Sequence, residues 1–203
     1  TIKLWETATG RLLRDLSSSG QNAPGLAPYV AFSRDSRLIA GATADNSAKV
    51  WDVLSGRELQ TFAGPQAAMT SAIGMYFIGF PANNQLVTVS DAARIWDLTT
   101  GRELRSLQID AMQLIGSLNG TEGGMALSPD GTQFAVFNDD SQAHVKVFDL
   151  ASGRESRRVN ITGDRIDSLQ LAFTPDGHLL AAGMVEKHFK FWDLTAKKDQ
   201  ELA

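Results

Sequence analysis

Two landmarks recurring in step predict an all-β fold of four-stranded antiparallel units repeated along the chain. An aromatic residue sits inside an alternating strand at Trp5, Trp51, Trp96, Phe148 and Trp192, at intervals of 46, 45, 52 and 44 residues. A period in the forties marks an array of small supersecondary units stacked on one another. Each aromatic has turn-forming residues at fixed offsets on either side, and no helical periodicity separates them.

The elements follow in order from these landmarks. Lys49-Val50-Trp51-Asp52 alternates in polarity, which puts successive side chains on opposite faces of a strand. Its copies are Ile2 to Glu6, Arg94 to Asp97, Lys146 to Asp149 and Lys190 to Asp193. The turn that follows, Leu54-Ser55-Gly56-Arg57 in the second copy, uses glycine for positive φ and a hydroxyl to bond the turn backbone. The fifth copy, Leu194-Thr195-Ala196-Lys197-Lys198, has no glycine and reads as a degenerate terminal repeat. Upstream lie Ala31 to Ser36, Gly79 to Asn84, Ala126 to Gly131 and Ala172 to Gly177. In the best of these, Ser-Pro-Asp-Gly, proline presets the first corner of a type I turn and glycine takes the left-handed position. An apolar strand follows each: Leu38 to Ala42, Leu86 to Val89, Phe134 to Phe137 and Leu179 to Gly183.

The Trp-Asp dipeptide, the Ser-Pro-Asp-Gly turn and the period together resemble the WD40-repeat family over essentially the whole chain, in the manner of divergent bacterial arrays. That resemblance implies an all-β β-propeller of four-stranded antiparallel blades, here a partial propeller over residues 1–203. An outer hairpin (1–16) is expected to precede about four blades (29–62, 74–109, 124–161 and 168–203), in a ring of seven blades or more. The chain opens inside a third strand, and both ends supply a Trp strand, so a piece of a longer polypeptide is expected, with roughly two and a half blades absent.

The copies also depart from the family pattern. Its repeats carry a histidine, an aspartate, a hydroxyl and the tryptophan in one hydrogen-bonded tetrad, and the histidine is missing here. Asp45 fills the aspartate position before Trp51, with Thr43 as the hydroxyl candidate; Ser90, Gln142 and Glu186 stand at the place of Asp45 in later copies. An incomplete tetrad predicts blades held mainly by apolar layers such as Phe32, Ile39, Val50 and Leu59.

Composition narrows the function. A net charge of −4 offers no basic stripe for nucleic acid, and no apolar run reaches the length of a membrane span. The absence of cysteine excludes disulfides and thiolate metal sites but does not fix a compartment; a cytoplasmic location is the separate expectation. His144, His178 and His188 lack ligand spacing and read as solvated turn residues; Asp139 and Asp140 read as solvated loop acids; Gly123-Gly124 is too short for a phosphate cradle. Asn160-Ile161-Thr162 fits a glycosylation sequon. Arg11, Arg57, Arg102 and Arg154 recur at one turn position, as a ring of charge or as solvated turn residues.

No catalytic, cofactor or metal constellation emerges, and no cofactor is expected. The long loops joining successive units carry Met69, Ile73 and Met75 in one case and Met112, Leu114, Ile115 and Leu118 in another. Such residues suit an adaptable protein-binding patch, and equally a cap on the core. The resemblance implies a non-catalytic scaffold for protein partners in a larger regulatory or signalling protein, with self-association or pairing to further blades as another use of its surfaces. Alternatives are a propeller enzyme of quinoprotein type, whose turns carry a tryptophan absent after Arg57 and Arg102, or the regulatory part of a caspase-like peptidase or kinase.

Overall fold

A computed structural model describes residues 2–16, 29–43, 47–64, 77–90, 92–107, 109, 124–139, 143–161, 166–185, 188–195 and 200–202. Among them every regular element is a strand, and no helix is long and apolar enough to cross a membrane. The chain divides into two compact units, 1–105 and 106–203, the division falling within strand β10.

The first unit begins with a hairpin, β1 (Ile2–Trp5) and β2 (Leu12–Leu16). Blade 1 follows as β3 (Val30–Phe32), β4 (Leu38–Ala42), β5 (Ala48–Asp52) and β6 (Glu58–Phe62), hydrogen-bonded in that order. Blade 2 is β7 (Phe77–Ala82), β8 (Gln85–Val89), β9 (Ala93–Asp97) and β10 (Glu103–Leu107). The second unit holds blade 3, β11 (Met125–Leu127), β12 (Gln133–Asp139), β13 (Ala143–Asp149) and β14 (Arg154–Asn160), and blade 4, β15 (Ile166–Phe173), β16 (Leu179–Val185), β17 (His188–Asp193) and β18 (Gln200–Leu202). The propeller blades expected from the repeat are therefore present, each a four-stranded antiparallel sheet.

Turn chemistry explains why the strands break where they do. Ser33 Oγ donates to Asp35 Oδ1 at 2.7 Å and accepts the Leu38 N–H at 2.9 Å, closing the β3–β4 turn. Ser128 and Asp130 repeat this between β11 and β12, and Thr174 and Asp176 between β15 and β16. After the third strand, Asp52 Oδ1 accepts both the N–H and the hydroxyl of Ser55, at 2.7 and 2.6 Å, and Gly56 takes φ +72°. Asp97 does the same for Thr100. The aspartate of the Trp-Asp dipeptide is thus a turn acceptor.

Packing between blades uses the two faces of each sheet. Leu4 and Leu16 of the hairpin bury against Ile39 and Trp51 of blade 1. The opposite face of blade 1, with Ala40, Val50 and Phe62, buries Ile78, Phe80 and Leu86 of blade 2. Blade 4 turns Leu169, Leu171, Leu179 and Trp192 toward Val145, Val147 and Val159 of blade 3. Each buried side chain of this size stabilises by about 1.5–3 kcal/mol.

Two members of the expected apolar layers behave otherwise. Ile39 and Val50 are buried, but Leu59 is exposed. Val50 pairs with Gln60 and Trp51 with Glu58, which leaves Leu59 as the extra residue of a β-bulge, lifted out of the ladder. Leu13 and Ser156 occupy the same bulge position in their own hairpins. Phe32 is exposed for a different reason, set out below.

Candidate functional site

Among the described residues, an apolar surface open to contact lies beside the hairpin. β1 and β2 match the third and fourth strands of a blade, because Trp5 stands where Trp51 stands and the same bulge follows it. Two strands cover only the outer half of the adjoining face of blade 1. Ile39 and Trp51, in the second and third strands, are buried beneath them; Val30 and Phe32, in the first, are 51% and 54% exposed. At the same register positions of blade 2, where a full blade adjoins, Ile78 and Phe80 are each 4% exposed.

A groove of about 790 Å³ runs along this opening. Trp5, Leu13, Phe32 and Leu54 supply apolar wall; Arg14, Arg37, Asp35 and Asp52 supply charge. The Ser33 hydroxyl, and then the Arg37 N–H, hold the Asp35 carboxyl below its ordinary range. Ser55 does the same for Asp52, through its hydroxyl first and its N–H second. Both carboxylates are therefore anionic at neutral pH, and with the two arginines the groove rim is balanced in charge. Arg14 Nη2 donates to the Leu54 carbonyl at 2.6 Å, tying the hairpin to the turn of blade 1.

Of the repeat aromatics, Trp51, Phe148 and Trp192 are buried, Trp96 is half-buried and Trp5 is 55% exposed. Trp96 tilts onto Phe62 with ring centroids 5.1 Å apart, and its Nε1 donates to Thr88 Oγ1 at 2.9 Å. Thr88 is the hydroxyl that meets a repeat tryptophan; the position matching it in blade 1 is Gly41. Thr43 instead donates to the Ser47 carbonyl at 2.9 Å. Only the strand register, which the spacing of the Trp-Asp phrases supplies, could have singled out Thr88 in advance.

Asp45 lies outside the described residues, as do Met69, Ile73, Met75, Met112, Leu114, Ile115 and Leu118. His144 is buried inside β13, opposite Asn138 and Asn160, and so is not the solvated turn residue expected of it. His178 and His188 are exposed. Among the described residues no three His, Cys, Asp or Glu side chains gather as a metal site would require. The four turn arginines are exposed.

Residues 28–52 and 162–193 match the family described as WD domain, G-beta repeat. A 63-residue stretch is 35% identical to autophagy-related protein 16 of Arabidopsis thaliana, covering 31% of this chain and 12% of that protein's length. WD40 repeats generally build non-catalytic scaffolds for protein interaction. Taken with the repeated four-stranded blades and their Trp-Asp turns, the matches support a WD40-repeat β-propeller.

Proposed function

We propose that this chain is a non-catalytic interaction scaffold that receives protein partners within a larger regulatory or signalling protein of the cytoplasm. The observation that carries the reading is the convergence of Trp5, Leu13, Phe32 and Leu54 on one open groove. Exposed aromatic and aliphatic side chains rimmed by charge have the anatomy of a protein-binding surface, where aromatics contribute most of the affinity. The groove is also large enough to seat a partner's side chains.

A photo-crosslinking amino acid at position 32, compared with one at Leu59 on the bulge, tests this. The expected result is a discrete protein adduct from position 32 that unlabelled protein competes away, with none from position 59. Adducts of equal yield at both positions, or none that compete, would remove the groove as a partner site.

A further inference from the structure

The β-bulge between third and fourth strands carries an exposed leucine in the hairpin and in blade 1, Leu13 and Leu59, but a serine in blade 3. Val147 pairs with Arg157 and Phe148 with Glu155, which leaves Ser156 outside the ladder. Ser156 is exposed, and its hydroxyl donates to the Val147 carbonyl at 3.0 Å. Around it in the same strand stand Arg154, Arg157 and Arg158. The bulge leucines have no such setting: Leu13 lies between Leu12 and Arg14, and Leu59 between Glu58 and Gln60. β14 is also the outermost strand of a complete four-stranded blade, paired among the described residues with β13 alone. A strand bonded along one side opens locally at lower cost than one bonded along both.

The charges beside Ser156 are already sorted. Glu155 accepts two bonds from Arg158, each of 2.9 Å, so its negative charge is matched. Arg157 donates to the Thr195 carbonyl of blade 4 at 3.4 Å, a long and therefore weak bond. Thr195 in turn accepts the Leu179 N–H on Oγ1 at 2.6 Å, at the start of β16. A weakly held arginine thus clasps a residue that fixes the end of a strand in the next blade.

We propose that Ser156 is a phosphorylation site for an arginine-directed serine kinase, and that its phosphate draws Arg157 off Thr195 and loosens the clasp of blade 3 on blade 4. This goes beyond the scaffold reading and does not depend on it. An extended strand with arginines on both sides of an exposed hydroxyl offers guanidinium forks to the carboxylates of such a kinase's cleft. Ser156 Oγ forms a bond to the γ-phosphorus of a nucleoside triphosphate as the bridging bond to the β-phosphate breaks. The nucleoside diphosphate leaves with the electron pair, and the hydroxyl proton passes to the kinase's base. The product carries a charge of about −1.5 to −2 and no hydroxyl donor, so the bond to Val147 is lost. A charge-assisted bond from Arg157 to phosphate is about twice as strong as one to a neutral carbonyl, and it displaces the contact with Thr195.

The test incubates the folded protein with a purified arginine-directed serine kinase, Mg²⁺ and ATP labelled on its γ-phosphate, beside a synthetic peptide of residues 151–161. Expected are label in both, located on Ser156 by tandem mass spectrometry, and no label at that position in Ser156→Ala. Arg154→Gln combined with Arg157→Gln should slow labelling by about tenfold or more, as loss of a charge-assisted bond does. In the phosphoprotein, amide exchange at Leu179 and Thr195 should rise to the rates seen in unphosphorylated Arg157→Gln. A wild-type unfolding midpoint verifies the fold of Ser156→Ala, and mapping of the wild-type product locates the phosphate without any variant. Label on the peptide but not on the folded protein, label on other residues only, or no label overturns the site. Phosphate on Ser156 with unchanged exchange at Leu179 and Thr195 overturns the release of the clasp.

Discussion

Arg14, on the outer strand of the hairpin, donates from Nη2 to the carbonyl of Leu54 in the following turn, at 2.6 Å. Arg157 holds the equivalent position in blade 3 and donates to the Thr195 carbonyl of blade 4 at 3.4 Å. Gln60, the counterpart in blade 1, lies so close to Gly101 of blade 2 that a Cβ there would fall 2.3 Å from its Nε2. The fourth strand of one unit thus clasps the turn of the next. Arg14→Met keeps the stem and removes the donor. It should cost about 1 kcal/mol, the net worth of one such bond, and speed amide exchange in β1 and β2 ahead of blade 1.

Trp5 and Trp51 share a repeat position but not an environment. Trp51→Ala should destabilise by about 3–5 kcal/mol, as removal of a large buried aromatic does. Trp5→Ala removes a ring that is more than half exposed and should cost less than about 1 kcal/mol. Urea midpoints of the two variants decide this; equal losses would contradict the burial difference.

Ser36 sits at φ +58°, where blades 3 and 4 place Gly131 and Gly177. A side chain in the left-handed region costs about 1–2 kcal/mol, and glycine returns part of that relief through its larger unfolded-state entropy. Ser36→Gly should therefore stabilise, by up to about 1 kcal/mol, raising the thermal midpoint. A lower midpoint would mean that the serine is not strained.

The Trp96 to Thr88 bond is tested by Thr88→Val, which keeps the shape and removes the acceptor. A loss of about 1–2 kcal/mol is expected. In a double-mutant cycle with Trp96→Phe, the two losses should fall short of adding, because either change removes the same bond. Strict additivity would show that the contact contributes nothing.

Asp52 and Asp97 should titrate below the ordinary carboxyl value of 3.8. The Ser55 hydroxyl is the chief cause at Asp52, and the Thr100 N–H at Asp97. A depressed folded pKa means that the unfolded chain binds more protons at low pH. The stability these groups contribute is present above pH 3.8 and is lost as pH falls through the folded values. Carboxyl NMR titration should show the depression, and Asp52→Asn together with Asp97→Asn should flatten the acid limb of the stability curve. Midpoints at or above 3.8 would contradict the turn geometry.

The strand order was legible because its signals are local. Ser33, Asp35 and Leu38 close one turn within six residues, and Asp52, Ser55 and Gly56 another within five, so those backbones can be built without the rest of the chain. The exposure of Leu59 was not legible, since a bulge appears only when two strands are set in register. Thr88 was missed for the same reason: it lies eight residues before Trp96, and only the β8–β9 pairing brings them together. His144 looked like a loop residue until β13 extended far enough to enclose it.

By itself, the sequence determined the repeat, the four-stranded antiparallel blade and the turn chemistry that ends each strand. Each depends on residues a few positions apart and on backbone preferences that no distant contact needs to supply. Tertiary structure alone decided which faces are buried. Phe32 and Phe80 are the same residue type at the same place in successive repeats, yet one is exposed and the other buried. Local preference cannot separate them. Burial depends on whether two strands or four stand beside the face, and that is a property of the assembled sheets.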